Sequence, residues 1–277
     1  MTDEQFKKIE KSIITTYKTR IWKKFVSSIN EYNLIKDGDA IAVCISGGKD
    51  SMLMAKCFQE LLKHGKVNFS LQFLVMDPGY NEINRQVIEN NARIMNIPIH
   101  VFNSDIFEIV AKAGGAPCYL CARMRRGHLY SKAKEMGCNK IALGHHFDDV
   151  VETILLGMLY NGQIQTMLPK LKSANYEGME LIRPMYKVAE ADILNWKAYN
   201  DLTFIQCACR FTENCALCDD GTGPSKREEM KRLIKYLISI NPDAPQNIFN
   251  SISNINLDGV IGYRKQGHKY NFLDEYD

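Results

Sequence analysis

Between Ala40 and Ser51 an apolar run, AIAVCI, passes directly into Ser46-Gly47-Gly48-Lys49-Asp50-Ser51 and then into a helical pattern over about 50–64. A strand that ends on paired glycines and enters a helix at once is the opening of a βα unit. The same grammar repeats downstream. Leu71–Met76, Ile97–Phe102 and Lys140–Leu143 read as strands. Helical patterns occupy about 80–95, a short stretch to about 112, about 119–136 and about 148–160. Strands separated by helices predict a parallel sheet joined by right-handed crossovers. The expected fold class is therefore α/β and Rossmann-like, with its ligand at the carboxyl ends of the strands.

The glycine loop has the chemistry of an anion cradle. Gly47 and Gly48 let the backbone turn tightly and bring its N–H groups close to a phosphate, and the following helix adds its positive end. Ser46 and Ser51 offer hydroxyls, and Lys49 offers a fixed charge. Asp50 is out of place beside a phosphate unless it meets Mg²⁺ or caps the helix. The spacing is neither that of a Walker A loop nor that of a dinucleotide GxGxxG turn. A second such strand end follows Lys140–Leu143: Gly144-His145-His146-Phe147-Asp148-Asp149-Val150-Val151-Glu152-Thr153. Gly144 permits close backbone approach. His145 and His146 suit phosphate charge. The two adjacent carboxylates sit where a helix N-terminus favours them, and suit Mg²⁺ or acid/base work.

The flanks are less regular. Phe6, Ile9, Ile13, Tyr17, Ile21, Phe25 and Ile29 recur at spacings of three and four, predicting one amphipathic N-terminal helix. Its lysines form either a solvated face or a flank that touches a polyanion. Gly162 to Gly178 reads as a loop, and helices are expected over about 189–200 and 225–240, followed by a polar tail. These shifts suggest an N-terminal helix over 1–34, a core domain over 35–200 and a cysteine-rich, helical C-terminal region over 201–277. With 35 Lys+Arg against 32 Asp+Glu, the net charge of +3 means that any nucleic-acid surface must be a local patch. No window supplies the roughly 18 uninterrupted apolar residues of a membrane span, and the N-terminus lacks a secretory apolar core. The protein is expected to be cytoplasmic. In that reducing setting its nine cysteines belong to packing, metal ligation or catalysis rather than disulfides. Cys44, Cys57 and Cys138 read as ordinary buried thiols.

The other six cysteines fall in two groups. Cys118-x-x-Cys121 alone is ambiguous between zinc, redox and iron–sulfur use. Cys207, Cys209, Cys215 and Cys218 follow as CxC-x5-CxxC, and four thiolates suffice for a structural zinc site, which would orphan Cys118 and Cys121. Arg123, Arg125 and Arg126 follow the first pair by about a turn and are suited to phosphate contact. Arg183, Lys170, Lys172 and the lysine-rich first helix extend this into an expected basic rim. Tyr119 is placed to stack on an extruded base.

SGGKDS after a strand resembles the PP-loop of the ATP pyrophosphatase superfamily. GHHFDDVVET resembles the GHHxDDxxET signature of its tRNA-modifying branch. Together with PCYLCARMRRG, these motifs are similar to those of the TtcA-type tRNA 2-thiocytidine synthetases, in the same order, over about 35–215. That resemblance implies a PP-loop fold and an enzyme that splits ATP between its α- and β-phosphates to adenylate a pyrimidine carbonyl on tRNA, most simply a cytidine of the anticodon loop. Sulfur then replaces the oxygen. It implies nucleotide binding by Ser46, Gly47, Gly48, Lys49, Asp50, Ser51, Gly144 and His145. Met76 stands near the adenine, and Asp50 holds Mg²⁺. Asp149, Lys49, Cys118 and Cys121 become the catalytic residues. Cys118, Cys121 and one downstream cysteine hold a [4Fe-4S] cluster whose fourth iron has no protein ligand and binds sulfide. Cys207 is the first choice for that third ligand, with Cys209, Cys215 and Cys218 as alternates and zinc at Cys215/Cys218 as a further use. The usual downstream element of the family is a single Cys-x-x-Cys, so the extra cysteines here are a departure. The implied partners are tRNA, a sulfur donor (a cysteine desulfurase or sulfide) and a second copy in a homodimer. Rival readings are a uridine or free small-molecule substrate, and a non-catalytic nucleotide and zinc or redox sensor. The related TtuA-type enzymes carry an N-terminal zinc finger, and this chain has no cysteine before Cys44.

Overall fold

The computed structural model describes residues 3–107, 109, 117–205 and 226–276. The chain opens with α1 (Asp3–Ile14), a π-helical turn (Lys18–Trp22) and α2 (Lys23–Glu31). The single N-terminal helix expected from the pattern is thus interrupted. Apolar residues four apart overshoot the 3.6-residue turn by about 40° at each step. The wider turn, where the Trp22 N–H reaches back to the Tyr17 carbonyl at 3.3 Å, keeps the stripe facing inward. Ile9, Ile13, Tyr17, Ile21, Phe25 and Ile29 are all buried as a result, while Lys7, Lys8, Lys11, Lys18, Arg20 and Lys23 face solvent. Phe25 meets Phe58 edge to face at 5.5 Å.

The sheet domain then runs β1 (Asp39–Ile45), α3 (Lys49–His64), β2 (Phe69–Asp77), α4 (Glu82–Ile94), β3 (Ile99–Asn103), α5 (Pro117–Glu135), β4 (Lys140–Ala142), α6 (Phe147–Asn161), β5 (Lys170–Lys172), β6 (Glu180–Ile182) and α7 (Glu190–Tyr199). The strand order is β3-β2-β1-β4-β6-β5, parallel throughout except that β5 runs antiparallel to β6. The α/β class is as expected. Two strands are additions: β5 lies within the stretch read as a loop, and β6 just after it. Both are three residues long, too short to show a period of two.

From β1 the chain moves outward through β2 and β3, then returns to place β4 on the other side of β1. That reversal is a topological switch point, where the loops leaving β1 and β4 diverge and open a crevice at the carboxyl ends. The glycine loop and the Gly144–Asp149 segment are those two loops. The other end of the sheet is pinned by Lys140. Its side chain is almost fully buried, 3.0 Å from Asp39 and 3.1 Å from Glu180, and it donates to the Leu34 carbonyl at 2.8 Å. Burial opposes the Asp39 charge, but hydrogen bonds from Asn139, the Lys36 N–H and Lys140 hold its carboxyl below the usual range. Cys44, Cys57 and Cys138 are buried free thiols, as expected.

Residues 151–166 and 226–277 form a second compact unit. It contains α8 (Lys226–Ile240), α9 (Ala244–Ser251) and a two-stranded hairpin of β7 (Gly262–Lys265) and β8 (His268–Asn271), where a polar tail was expected. Lys226 lies 3.9 Å from the centre of the Tyr160 ring, and the Tyr160 hydroxyl donates to Glu229. No helix among the described residues is long and apolar enough to cross a membrane.

Candidate active site

The loop after β1 turns on Gly47, whose φ is +84°. A Cβ there would meet Ile88 Cγ1 at 2.5 Å and Ile205 Cδ1 at 2.7 Å, so both space and conformation demand glycine. Gly48 is different. It is the N-cap of α3 in an extended conformation, and a Cβ would find only ordinary contacts. Two hydroxyls brace the loop. The Ser51 Oγ accepts from the Ser46 N–H at 3.1 Å and donates to the Gly48 carbonyl at 3.0 Å. The Ser46 and Ser51 Oγ atoms are 3.2 Å apart.

Across the switch point, Gly144 brings the second loop into contact with the first. A Cβ on Gly144 would lie 3.1 Å from the Ser51 nitrogen and 3.2 Å from the Asp50 carbonyl carbon. Side chains from both loops therefore share one cleft of about 280 Å³. Ser46, Asp50 and Ser51 line it from the first loop, and Gly144, His145 and Asp149 from the second. Met76 contributes from the end of β2, and Arg125 from α5. Cys44 also borders the cleft, and burial pushes its thiol up to about 12. It is a wall, not a thiolate, at neutral pH.

Electrostatics tie the two loops together. Lys49 Nζ is 2.8 Å from Glu190 Oε1 and 3.2 Å from Asp50. Burial alone would favour the neutral amine, yet the hydrogen bond Lys49 donates to Glu190 and the charge of Asp50 leave the Lys49 pKa above its ordinary value. Glu190 is held in turn, since its N–H donates to Asp148 Oδ2 at 2.7 Å. Asp149 Oδ2 accepts from the His146 N–H at 3.0 Å, capping α6. The His146 ring is buried among three carboxylates, 3.6 Å from Asp149, 3.7 Å from Asp148 and 3.9 Å from Asp50. Asp50 carries the cost of this crowding. Burial raises its pKa, Asp149 adds to the rise, and His146 and Lys49 only partly offset it.

The sequence-predicted residues thus fall into three sets. Ser46, Asp50, Ser51, Met76, Gly144, His145, Asp149 and Arg125 meet in the cleft. Lys49 lies beside it, bridged to Glu190, a residue sequence reasoning missed because nothing local links positions 141 apart. Arg123 and Arg126 are exposed on α5, whereas Arg125 turns inward and donates to the Tyr80 hydroxyl at 3.2 Å. Arg183, expected on a basic rim, is instead buried, with its Nη1 donating to the Leu168 carbonyl. Burial, and then the neighbouring Arg126, bring its pKa down to about 10. The rim expectation fails there because Arg183 is buried and tied to the 168–169 segment, its guanidinium to the Leu168 carbonyl and its N–H to the Pro169 carbonyl. Lys170 donates to the Asn33 carbonyl at 3.1 Å, and Lys172 is exposed.

Helix α5 begins at Pro117, so Cys118 and Cys121 belong to its first turns. Their spacing of three, and the further four residues to Arg125, put all three positions on one face of the helix. Cys207, Cys209, Cys215 and Cys218 lie outside the described residues. A pair of cysteine positions on a helix end, with further cysteines downstream in sequence, is a soft donor set that fits an iron–sulfur cluster better than a hard cation.

The model of the PP-loop domain family matches residues 17–209. Over 243 residues the chain is 36% identical to the tRNA-cytidine(32) 2-sulfurtransferase of Paraburkholderia xenovorans, covering 85% of this chain and 68% of that one. Over 251 residues it is 34% identical to the enzyme of the same name from Citrifermentans bemidjiense, covering 89% and 93%. Among solved structures, the U34-tRNA thiolase NcsA from Methanococcus maripaludis, with its [4Fe-4S] cluster, shares the fold with a TM-score of 0.64 at 18% identity, covering 84% of this chain and 79% of that one.

Proposed function

This chain belongs to the PP-loop family, in its tRNA-cytidine(32) 2-sulfurtransferase branch, and on that premise we propose that it is an ATP-dependent tRNA sulfurtransferase that forms 2-thiocytidine. The observation that carries the reading is the register of α5. Arg125 lines the cleft, and positions 121 and 118 share its face of the helix one and two turns earlier in backbone register. Activation of the acceptor and supply of sulfur then share one rigid element.

The chemistry divides accordingly. The cytidine C2 oxygen attacks the α-phosphorus of ATP, pyrophosphate leaves, and the base becomes O-adenylated. A sulfur nucleophile then attacks C2, and the original oxygen departs on AMP. The amides of Gly47 to Ser51 and the N-terminus of α3 hold the departing pyrophosphate. Lys49, kept charged by Glu190, adds a fixed cation. Asp50, a carboxylate whose ionised form is disfavoured by burial, suits Mg²⁺, which would supply charge neutralisation on the phosphates. Asp149 orients the second loop and would manage a proton at the base. Met76 packs at the end of β2 where an adenine would lie. Cys118, Cys121 and a third thiolate, first among them Cys207, would hold the [4Fe-4S] cluster, which when bound supplies the sulfur-carrying site. Arg125 orients the acceptor, and Arg123 and Arg126 offer charges to the RNA backbone.

Mass spectrometry of tRNA nucleosides from cells lacking the gene tests the reading. Loss of 2-thiocytidine is expected, with restoration by the intact gene. Unchanged thionucleosides would overturn it.

A further inference from the structure

The β7–β8 hairpin does no packing work that would explain its sequence. All eight of its strand residues are exposed, so neither face belongs to a core. It is nevertheless well specified. Gln266 and Gly267 form its two-residue turn with φ of +52° and +86°, the left-handed pair that suits a tight hairpin. A Cβ on Gly262 would lie 2.6 Å from the Tyr270 carbonyl oxygen, so the base of the hairpin admits only glycine. Below it the Phe272 N–H donates to the Ile261 carbonyl at 3.0 Å, and Asn271 and Asp274 cap each other.

Its charges are arranged against its own stability. Arg264 stands directly opposite Lys269, and Lys265 opposite His268. Like charges at facing positions of an antiparallel pair repel. No acidic residue occurs from Val260 to Leu273, and among the described residues no carboxylate pairs with Arg264, Lys265 or Lys269. On the face that carries Lys265 and His268, Tyr263 and Tyr270 stack with centroids 4.7 Å apart and planes 8° from parallel. A two-stranded ribbon that bears cations on both faces and an aromatic pair on one matches the chemistry of RNA: phosphates for the cations, a base or ribose face for the rings.

We propose that the β7–β8 hairpin, through Arg264, Lys265, Lys269 and the Tyr263–Tyr270 pair, is an RNA-binding ribbon that grips the phosphodiester backbone of the tRNA substrate outside the PP-loop domain. The proposal rests on the reading of that substrate as a tRNA. A polyanion relieves the Arg264–Lys269 repulsion and so is favoured by the same feature that costs the free protein stability. The contacts read backbone rather than sequence, so the ribbon adds affinity and orientation without selecting the nucleoside.

The test compares the full-length wild type with R264Q/K265Q/K269Q in filter binding to an unmodified tRNA transcript, across salt from about 50 to 200 mM. Removing three phosphate contacts is expected to weaken binding by about tenfold or more at the higher salt and to flatten the log–log salt slope by about 2–3. The melting temperature should hold or rise, because a repulsive pair is gone, and Arg264→Lys should retain most of the affinity. Equal affinity and equal salt slope for wild type and triple variant would overturn the proposal. A wild type that binds no tRNA would sink the substrate reading itself, and this inference with it. A wild type that binds while the variant is unchanged sinks only the hairpin.

Discussion

Replacing Gly47 by alanine should break the nucleotide loop, whereas replacing its neighbour Gly48 should not. At Gly47 two costs combine. An L-residue held at φ of +84° pays about 1–2 kcal/mol. The new methyl would also stand 2.5 Å from Ile88 Cγ1 and 2.7 Å from Ile205 Cδ1. The end of Ile205 can swing, but Cγ1 of Ile88 is close to the α4 backbone and yields little, so overpacking adds about 1–3 kcal/mol. A loss of about 2–5 kcal/mol lowers the melting temperature by roughly 4–20 °C in a domain of this size. At Gly48 the terms cancel. Its φ is −78°, and a Cβ would meet nothing nearer than Ser46 Oγ at 3.6 Å. Alanine gains about 0.4–1 kcal/mol from a stiffer unfolded chain and loses a comparable amount as a poorer N-cap. Calorimetry on the two full-length variants reads the difference directly. Equal melting temperatures would show that Ile88 and the left-handed turn do not fix this loop as described.

Three further outcomes are expected. Asp50→Asn should raise the melting temperature of the nucleotide-free protein at neutral pH while abolishing ATP-dependent pyrophosphate release. The Asp50 pKa is raised in the fold, so its charge opposes folding above that pKa and the penalty fades as pH falls; a destabilised variant would refute this. Glu190→Gln should cost roughly 0.5–1 kcal/mol, since the Lys49 pair is only partly shielded. Because the Lys49 pKa is raised, that stabilisation is complete below the free-lysine pKa and is lost as pH climbs through the raised value, so the two melting curves should converge in strong alkali. Cys118→Ala should abolish thiolation and the visible absorbance of the anaerobically purified protein yet leave ATP affinity unchanged; collapse of both would show that the two sites are not separable.

Most of the cleft was legible because its residues sit at strand ends, where a local pattern announces them. The Ala40–Ile45 run and the glycines after it specify both the strand and its loop, and Gly144 to Asp149 repeat the device. What the sequence hid was non-local. Glu190 reaches Lys49 through the fold, and nothing in its own helix marks it. Arg183 reads as a surface cation, but the fold buries it and turns its guanidinium to the Leu168 carbonyl. Strands β5 and β6, at three residues each, fall below the length at which alternation shows. The turn at Lys18–Trp22 was hidden for another reason, since a four-residue spacing is equally consistent with a gently drifting α-helix.

The α5 helix sets a length as well as a location. Seven residues separate Cys118 from Arg125, about 10 Å of axial rise, and a hydrogen-bonded rod does not stretch. One residue inserted between Cys121 and Arg125 would rotate positions 118 and 121 by about 100° relative to Arg125, while four would nearly restore the phase and lengthen the gap by about 6 Å. The helix is thus a caliper. It fixes, when the protein folds, the axial distance between the Cys118 position and Arg125, and under the proposed function that distance is one the RNA must accommodate.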